Sequence, residues 1–138
     1  MATRYDDAEL LAALWKLGAG DSMLPTSHGI LDRALNECRS SLPETLVSDL
    51  TFGVTNVGLR CYELPDILLA AQEALLTSEP NPTYLSTVVT INEDRARQIV
   101  LSHGLSTAQA RRIGAEFSAC VSKIQGDIAS DAGQPAAA

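Results

Sequence analysis

Apolar residues recur at intervals of three and four along most of this chain, and that spacing places them on one face of a helix. The clearest stripe is Leu10, Leu14 and Leu17, which follows Asp6 and Asp7 at the start of the same segment. Acidic side chains favour a helix N-terminus because they complement its dipole. The pattern as a whole predicts helices over residues 6–17, 30–38, 43–64, 66–77 and 93–101, and a longer one from 106 to 124.

Residues 50–62 fit two kinds of secondary structure. An apolar seam at helical spacing runs from Leu46 to Leu64, yet residues 50–54 also alternate as in a strand. The glycines in this segment each cost a helix about 1 kcal/mol relative to alanine. The helical period persists for longer than the alternation, which stops at Thr55, and we therefore expect a helix.

The segment from 86 to 124 has the clearest boundaries in the chain. Its opening run of β-branched residues predicts one short strand or irregular segment near 86–91. Gly104 is expected to end the helix that follows. Ser106 and Gln109 then match the capping box that starts a second helix.

Composition favours helices as well. Of the 138 residues, 46% are hydrophobic but only 4% are aromatic, so the core must consist of Leu, Ile, Val and Ala, which suits close helix packing. We predict an all-α fold, a single-domain helical bundle of about six helices over residues 1–126, with a possible short strand near 86–91. Residues 127–138 have no sustained apolar face and are expected to form a disordered C-terminal tail.

The net charge of −7 argues against binding to nucleic acid or anionic membranes by the chain as a whole. Residues 92–126 are the exception, because bases outnumber acids there. We call this segment the basic island. Its acids are Glu93, Asp94 and Glu116, and its bases are Arg95, Arg97, Arg111, Arg112 and Lys123.

Two helices joined by a glycine turn within the basic island resemble a helix-turn-helix, whose second helix enters the DNA major groove. This resemblance covers about 25 residues and implies that the start of the second helix faces DNA. Hydroxyls there would contact phosphate, while glutamine and arginine could read base edges. The candidate nucleic-acid-binding residues are Ser106, Thr107, Gln109, Arg111 and Arg112.

The order of a β-branched run, a helix, a turn and a second helix over 86–124 also resembles the ribbon-helix-helix of small dimeric repressors. That resemblance implies that residues 87–91 pair with a twin strand and lie in the major groove. A third interpretation is an ordinary helical hairpin that completes the bundle. The sequence leaves all three open.

The sequence offers no set of residues for catalysis, a cofactor or a metal. Cys38, Cys61 and Cys120 are odd in number and far apart, and no pair has metal-ligand spacing, so we expect reduced thiols that act as small core residues. His28 and His103 are too distant in sequence to suggest a shared metal. We therefore predict no enzyme, no cofactor and no metal site.

The function expected from these features is that of a small, acidic, non-catalytic protein. It would act through helix faces as an adaptor, regulator, inhibitor or assembly component, with another protein or a copy of itself as the partner. The alternative is a DNA-binding transcriptional regulator that uses residues 86–124. The N-terminus lacks a signal-peptide pattern and the longest apolar run, Ile67 to Ala71, is too short for a bilayer, so we expect a cytoplasmic location and no membrane association.

Overall fold

The computed structural model describes residues 4–26, 29–78 and 86–133. The helices found there are α1 (Arg4–Ala19), α2 (Ile30–Glu37), α3 (Glu44–Val47), α4 (Leu64–Glu73), α5 (Glu93–Ser102) and α6 (Thr107–Gly133). The strands are β1 (Leu24–Pro25), β2 (Phe52–Thr55), β3 (Gly58–Cys61), β4 (Thr77–Ser78) and β5 (Ser86–Val89). The fold is therefore mixed α/β, and the prediction of an all-α bundle is wrong.

The strands form two small antiparallel sheets. In the first sheet β5 lies between β1 and β4, with Leu24 opposite Thr87 and Thr77 opposite Val89. The short strand expected near 86–91 is present as β5. The second sheet is a hairpin of β2 and β3 alone.

The hairpin replaces the helix predicted over residues 50–62. Thr55 lies opposite Gly58, so Asn56 and Val57 form the turn. Gly58 has a φ of 101°, which favours glycine, and Thr55 Oγ1 accepts a hydrogen bond from the Val57 N–H (3.2 Å). The strand alternation stops at Thr55 because the chain reverses there. The break that argued for a helix is the turn itself.

Helix α1 is the element on which the other helices pack. It contacts α4, α5 and α6. One apolar stripe was predicted for it, but side chains are buried on nearly every side of the helix because it lies at the centre. The buried residues of α1 are Asp7, Ala8, Leu10, Leu11, Ala12, Ala13, Leu14, Trp15 and Leu17.

The closest packing in the fold is the crossing of α1 and α6 at Gly18 and Gly114. A Cβ on Gly18 would overlap the backbone of Gly114, and a Cβ on Gly114 would overlap the Leu14 carbonyl oxygen. One turn from each glycine, the rings of Trp15 and Phe117 meet edge to face with centroids 5.9 Å apart. Glycine is required here for space rather than for an unusual backbone angle.

Helix α4 ends earlier than the predicted boundary near residue 77. Leu75 adopts a left-handed conformation with a φ of 61°, and the Leu76 N–H donates to the Ala71 carbonyl oxygen (2.9 Å). This is the hydrogen bond of a Schellman helix end, which usually contains glycine at the left-handed position. The chain leaves the helix there, and Thr77 enters β4.

The cysteines do not match the expectation of three reduced thiols. Cys38, at the end of α2, and Cys120, in α6, form a disulfide bond across 82 residues of sequence. Cys61 is free and buried at the end of β3, and burial raises the pKa of its thiol to about 11. Cys61 therefore acts as a small core residue, as predicted.

The C-terminal part of the chain is helical further than predicted. Helix α6 continues to Gly133, so residues 127–133 are helical where a disordered tail was expected. Residues 134–138 lie outside the described residues. Among the helices that are described, none is both long and apolar enough to cross a membrane.

Candidate functional site

The segment proposed as a DNA reader folds as α5, a tight turn and α6. Asn92 starts α5, because its Oδ1 accepts a hydrogen bond from the Arg95 N–H (2.8 Å). Gly104 ends it with a φ of 81°, and the Leu105 N–H donates to the Val100 carbonyl oxygen (2.9 Å). The predicted helix stop at Gly104 is confirmed.

Ser106 and Gln109, two of the candidate DNA contacts, bind each other. The Ser106 N–H donates to Gln109 Oε1 (3.0 Å), and the Gln109 N–H donates to Ser106 Oγ (3.1 Å). This reciprocal pair confirms the predicted capping box at the start of α6. Helix capping therefore accounts for both side chains.

The two neighbouring arginines lie in different surroundings. Arg111 forms an ion pair with Glu93 in the first turn of α5, and its hydrogen bond and charge lower the pKa of Glu93. Arg112 is exposed and has no ion-pair partner among the residues that the structure describes. Thr107 is half-buried at the first position of α6. Of the five candidates, Arg112 is the cation left for an external ligand.

Most other cations of the basic island are neutralised within the chain. Arg95 bridges to Glu9 of α1 (3.3 Å), and Arg97 pairs with Asp94 within α5. Phosphate neutralisation by several cations supplies much of the affinity for DNA. In the described ranges only Arg112 and Lys123 of the basic island are free for that role.

The packing of α5 and α6 follows from α1. Both helices lie against α1, and Val100 of α5 is fully buried in the common core. Each helix therefore has its apolar face covered by α1, as in an ordinary helical hairpin that completes a core. Gln109 in the first turn of α6 and Arg112 in the second are exposed at the surface.

Strand β5 does not have the free edge that a ribbon-helix-helix requires. It is hydrogen-bonded to β1 on one side and to β4 on the other. A twin strand could pair with β5 only by displacing one of these neighbours. The geometry of β5 is that of a central strand.

A second candidate surface, which the sequence interpretation missed, is the β2–β3 hairpin. Its exposed apolar side chains are Val54, Val57 and Tyr62, with 85%, 70% and 57% of their surface accessible. Residues 50–59 contain no charged side chain. The signals available in the sequence were this uncharged run and the Asn-Val-Gly turn within it.

The two edges of the hairpin differ. Along β3, the Cys61 N–H donates to the carboxylate of Asp32 in α2, and Arg60 forms an ion pair with the same carboxylate (4.0 Å). Burial raises the pKa of Asp32, although these two contacts oppose the shift. Helix α2 therefore covers the β3 edge, whereas no described element covers β2.

Three contacts hold the hairpin in place. The Glu63 carboxylate accepts hydrogen bonds from the N–H and the hydroxyl of Thr51; burial alone would raise the pKa of Glu63, but these bonds lower it. The Arg39 guanidinium lies 5.4 Å from the centre of the Phe52 ring. The Tyr62 ring covers the position where Gly53 lacks a side chain.

One cleft, which lies beside the first sheet, is lined among the described residues by uncharged side chains. It has a volume of about 290 Å³ and lies between α4 and strands β4 and β5. Thr87 in its wall is 2% exposed, and in the described part of the chain its hydroxyl has no hydrogen-bond partner. Over the same residues there is no group of three or more side chains able to hold a metal ion.

No protein family matches the sequence, and comparison with curated proteins and with solved structures gives no match. The geometry of the two candidate surfaces is therefore the basis for a functional proposal.

Proposed function

We propose that this protein is a non-catalytic binding protein that recognises another protein, or a copy of itself, through the β2–β3 hairpin. The observation that supports the proposal best is an uncharged hairpin with exposed valines, whose β2 edge is covered by none of the elements in residues 4–26, 29–78 and 86–133. The proposed binding surface is therefore the hairpin, whereas the sequence led us to expect the helix faces.

Among the described residues, the exposed edge of β2 carries unpaired backbone N–H and C=O groups that another strand can bind. Natural proteins protect edge strands with charges, proline or bulges, since unpaired backbone groups otherwise recruit foreign strands. Strands β2 and β3 are regularly paired over four residues each, and no charge interrupts β2. A hairpin of two strands is also marginal in stability by itself. A bound partner would supply both the missing strand and cover for Val54.

The competing functions have less support. Catalysis by the free cysteine is disfavoured, because a thiol with a pKa of about 11 is protonated near neutral pH. DNA binding is disfavoured by the ion pairs that occupy Arg95, Arg97 and Arg111. The Cys38–Cys120 disulfide is of a kind that is more common in oxidising compartments, which counts against the cytoplasmic location expected from the N-terminal sequence.

Site-specific photo-crosslinking in cells of the source organism tests the proposal. A crosslinking amino acid in place of Val57 should yield a covalent adduct whose partner mass spectrometry identifies. The control places the same group at Leu101 of α5, which is 60% exposed but far from the hairpin in sequence. Equal yields from the two positions, or no adduct from position 57, would contradict the proposal.

A further inference from the structure

The pattern of backbone hydrogen bonds between β2 and β3 shows which backbone groups of β2 point away from the hairpin. The Tyr62 N–H donates to the Thr51 carbonyl oxygen (3.0 Å), so these opposing residues form a hydrogen-bonded pair. In an antiparallel pair of strands, such residue pairs alternate with pairs whose N–H and C=O groups point away from the partner strand. By this alternation Phe52 and Val54 direct their N–H and C=O groups to the outside of β2.

The corresponding groups of β3 are already covered. Cys61, which lies opposite Phe52, donates its outward N–H to Asp32. Leu59, which lies opposite Val54, has its carbonyl oxygen beside the start of α2 and within 3.5 Å of Arg60 Nη1. A strand added to this hairpin must therefore join at β2.

We infer that β2 pairs antiparallel with β2 of a second copy of this chain, forming a four-stranded sheet across a two-fold axis. This inference rests on the proposed function, because it takes the hairpin as the binding surface. It adds the identity of the partner, the edge used and the register.

The outward groups determine the register. Phe52 and Val54 flank Gly53, so antiparallel pairing about Gly53 places Phe52 of each copy opposite Val54 of the other. Each such pair exchanges two backbone hydrogen bonds, which gives four across the axis. Each pair also brings an aromatic ring beside a β-branched side chain, a favourable cross-strand combination.

The hairpin suits a second copy for two further reasons. Gly53 would lie on the axis, where its missing side chain leaves room for the Tyr62 ring over the sheet. The paired strands themselves carry no charged side chain, and the Arg39 guanidinium of each copy lies against the Phe52 ring of that same copy. The nearest charged side chains of the hairpin, Arg60 and Glu63, are bound to Asp32 and Thr51.

The test is the mass of the purified protein in solution as a function of concentration, measured by sedimentation equilibrium from about 10 µM to about 1 mM, the range expected for a small interface. The wild type should shift from monomer to dimer. Val54→Lys introduces a charge into each paired strand and should raise the dissociation constant by about tenfold or more. The matched control is Val57→Lys, with the same charge in the turn of the same hairpin, and it should change the constant by less than about twofold.

Val54→Pro provides a second variant in case the lysine disturbs folding. Proline is tolerated on an edge strand where the N–H faces outward, and it removes two of the four intermolecular hydrogen bonds while leaving those of the hairpin. Dimerisation weakened by both Val54 variants and kept by Val57→Lys supports the inference. A wild type that stays monomeric at about 1 mM, or a dimer that Val54→Pro leaves unchanged, overturns it. If the wild type does not dimerise but position 57 crosslinks to a different protein, only the inference of a second copy fails. If neither dimerisation nor a crosslink is found, the proposed function fails as well.

Discussion

At the crossing of α1 and α6, Gly18 and Gly114 bring two helix backbones into direct contact, beside the buried side chains of Leu14 and Phe117. In the β2–β3 hairpin, Gly58 permits a turn and Gly53 is covered by a single tyrosine ring. Gly114 is buried at the crossing, whereas Val54 of the hairpin is 85% exposed. Glycine serves dense packing in the first region and chain reversal beside an open edge in the second.

This contrast separates residues that determine the stability of the fold from residues that are available for binding a partner. The crossing leaves no room for a substituent, so sequence changes there must act on folding. The hairpin contacts the core mainly through β3 and α2, so changes on β2 can alter binding with little effect on folding. Each of the following experiments tests that separation, beginning with the largest expected effect.

Gly114→Ala should destabilise the fold by about 3 kcal/mol, at the upper end for overpacking, because the new Cβ overlaps the Leu14 carbonyl oxygen. The control is Gly126→Ala in the same helix, where a Cβ meets open space. Alanine favours a helix interior over glycine by about 1 kcal/mol, so Gly126→Ala should stabilise the protein. Urea unfolding of the two variants and the wild type measures both effects. Equal effects from the two substitutions would contradict the tight crossing.

The two regions are linked by a pair of carboxyl groups. Asp7 of α1 is 1% exposed, and it interacts with Asp49 in the loop that precedes β2. Burial, followed by the hydrogen bond and charge of Asp49, raises the pKa of Asp7 to about 7; Asp6 adds to the shift and Arg4 opposes it. Arg4 lies 3.6 Å from Asp7 Oδ2, beyond hydrogen-bond distance. Asp7 therefore holds its proton up to about pH 7.

Asp7→Asn should stabilise the protein at pH 6 by about 3 kcal/mol and have little effect at pH 4, since pH 6 lies about two units above the unfolded pKa and each unit corresponds to about 1.4 kcal/mol. The sign follows from linkage: a raised folded-state pKa gives stability that is present below the unfolded value, about 4, and is lost as pH rises through about 7. The free energy of unfolding at several pH values measures this. Asp66→Asn, at an exposed position in the first turn of α4, is the control. A stability difference between Asp7→Asn and the wild type that does not change with pH would contradict the raised pKa of Asp7.

Leu75→Gly should stabilise the protein by about 1 kcal/mol, because a left-handed conformation costs a non-glycine residue about 1–2 kcal/mol and glycine offsets part of that gain through chain entropy. Leu75 is 80% exposed, so little packing is lost with its side chain. Thermal unfolding measures the change, and Leu101→Gly in the last turn of α5 should have the opposite sign. Destabilisation by Leu75→Gly would mean that its side chain has a packing role.

The sequence predicted those features that depend on near neighbours. The Ser106–Gln109 capping box and the Gly104 helix stop involve residues at most five positions apart, so local chemistry determines them. Strand β5 followed from its β-branched residues. These were the elements with the strongest local signals.

The features that the sequence did not predict depend on distant residues or on two competing periods. The Cys38–Cys120 pair and the Gly18–Gly114 contact join segments that are far apart in the chain, and no local pattern indicates either. In residues 50–62 apolar residues fitted both helical spacing and the alternation of a strand that turns at Asn56. The helical pattern persisted for longer, but the prediction based on it was wrong. The same error affected the functional prediction. A segment predicted to be a helix has no strand edge, so the exposed edge of the hairpin could not be considered as a binding surface.

Residue-resolved amide hydrogen exchange of the wild type at two concentrations tests the central claim most directly, because it reports on both regions at once. We expect the amides at the α1–α6 crossing to exchange slowly and at rates independent of concentration. The Phe52 and Val54 amides should exchange rapidly in dilute protein and become protected as the concentration rises, while Cys61, bonded to Asp32, is protected throughout. Protection of Phe52 and Val54 that is already complete in dilute protein, or absent at every concentration, would contradict the account.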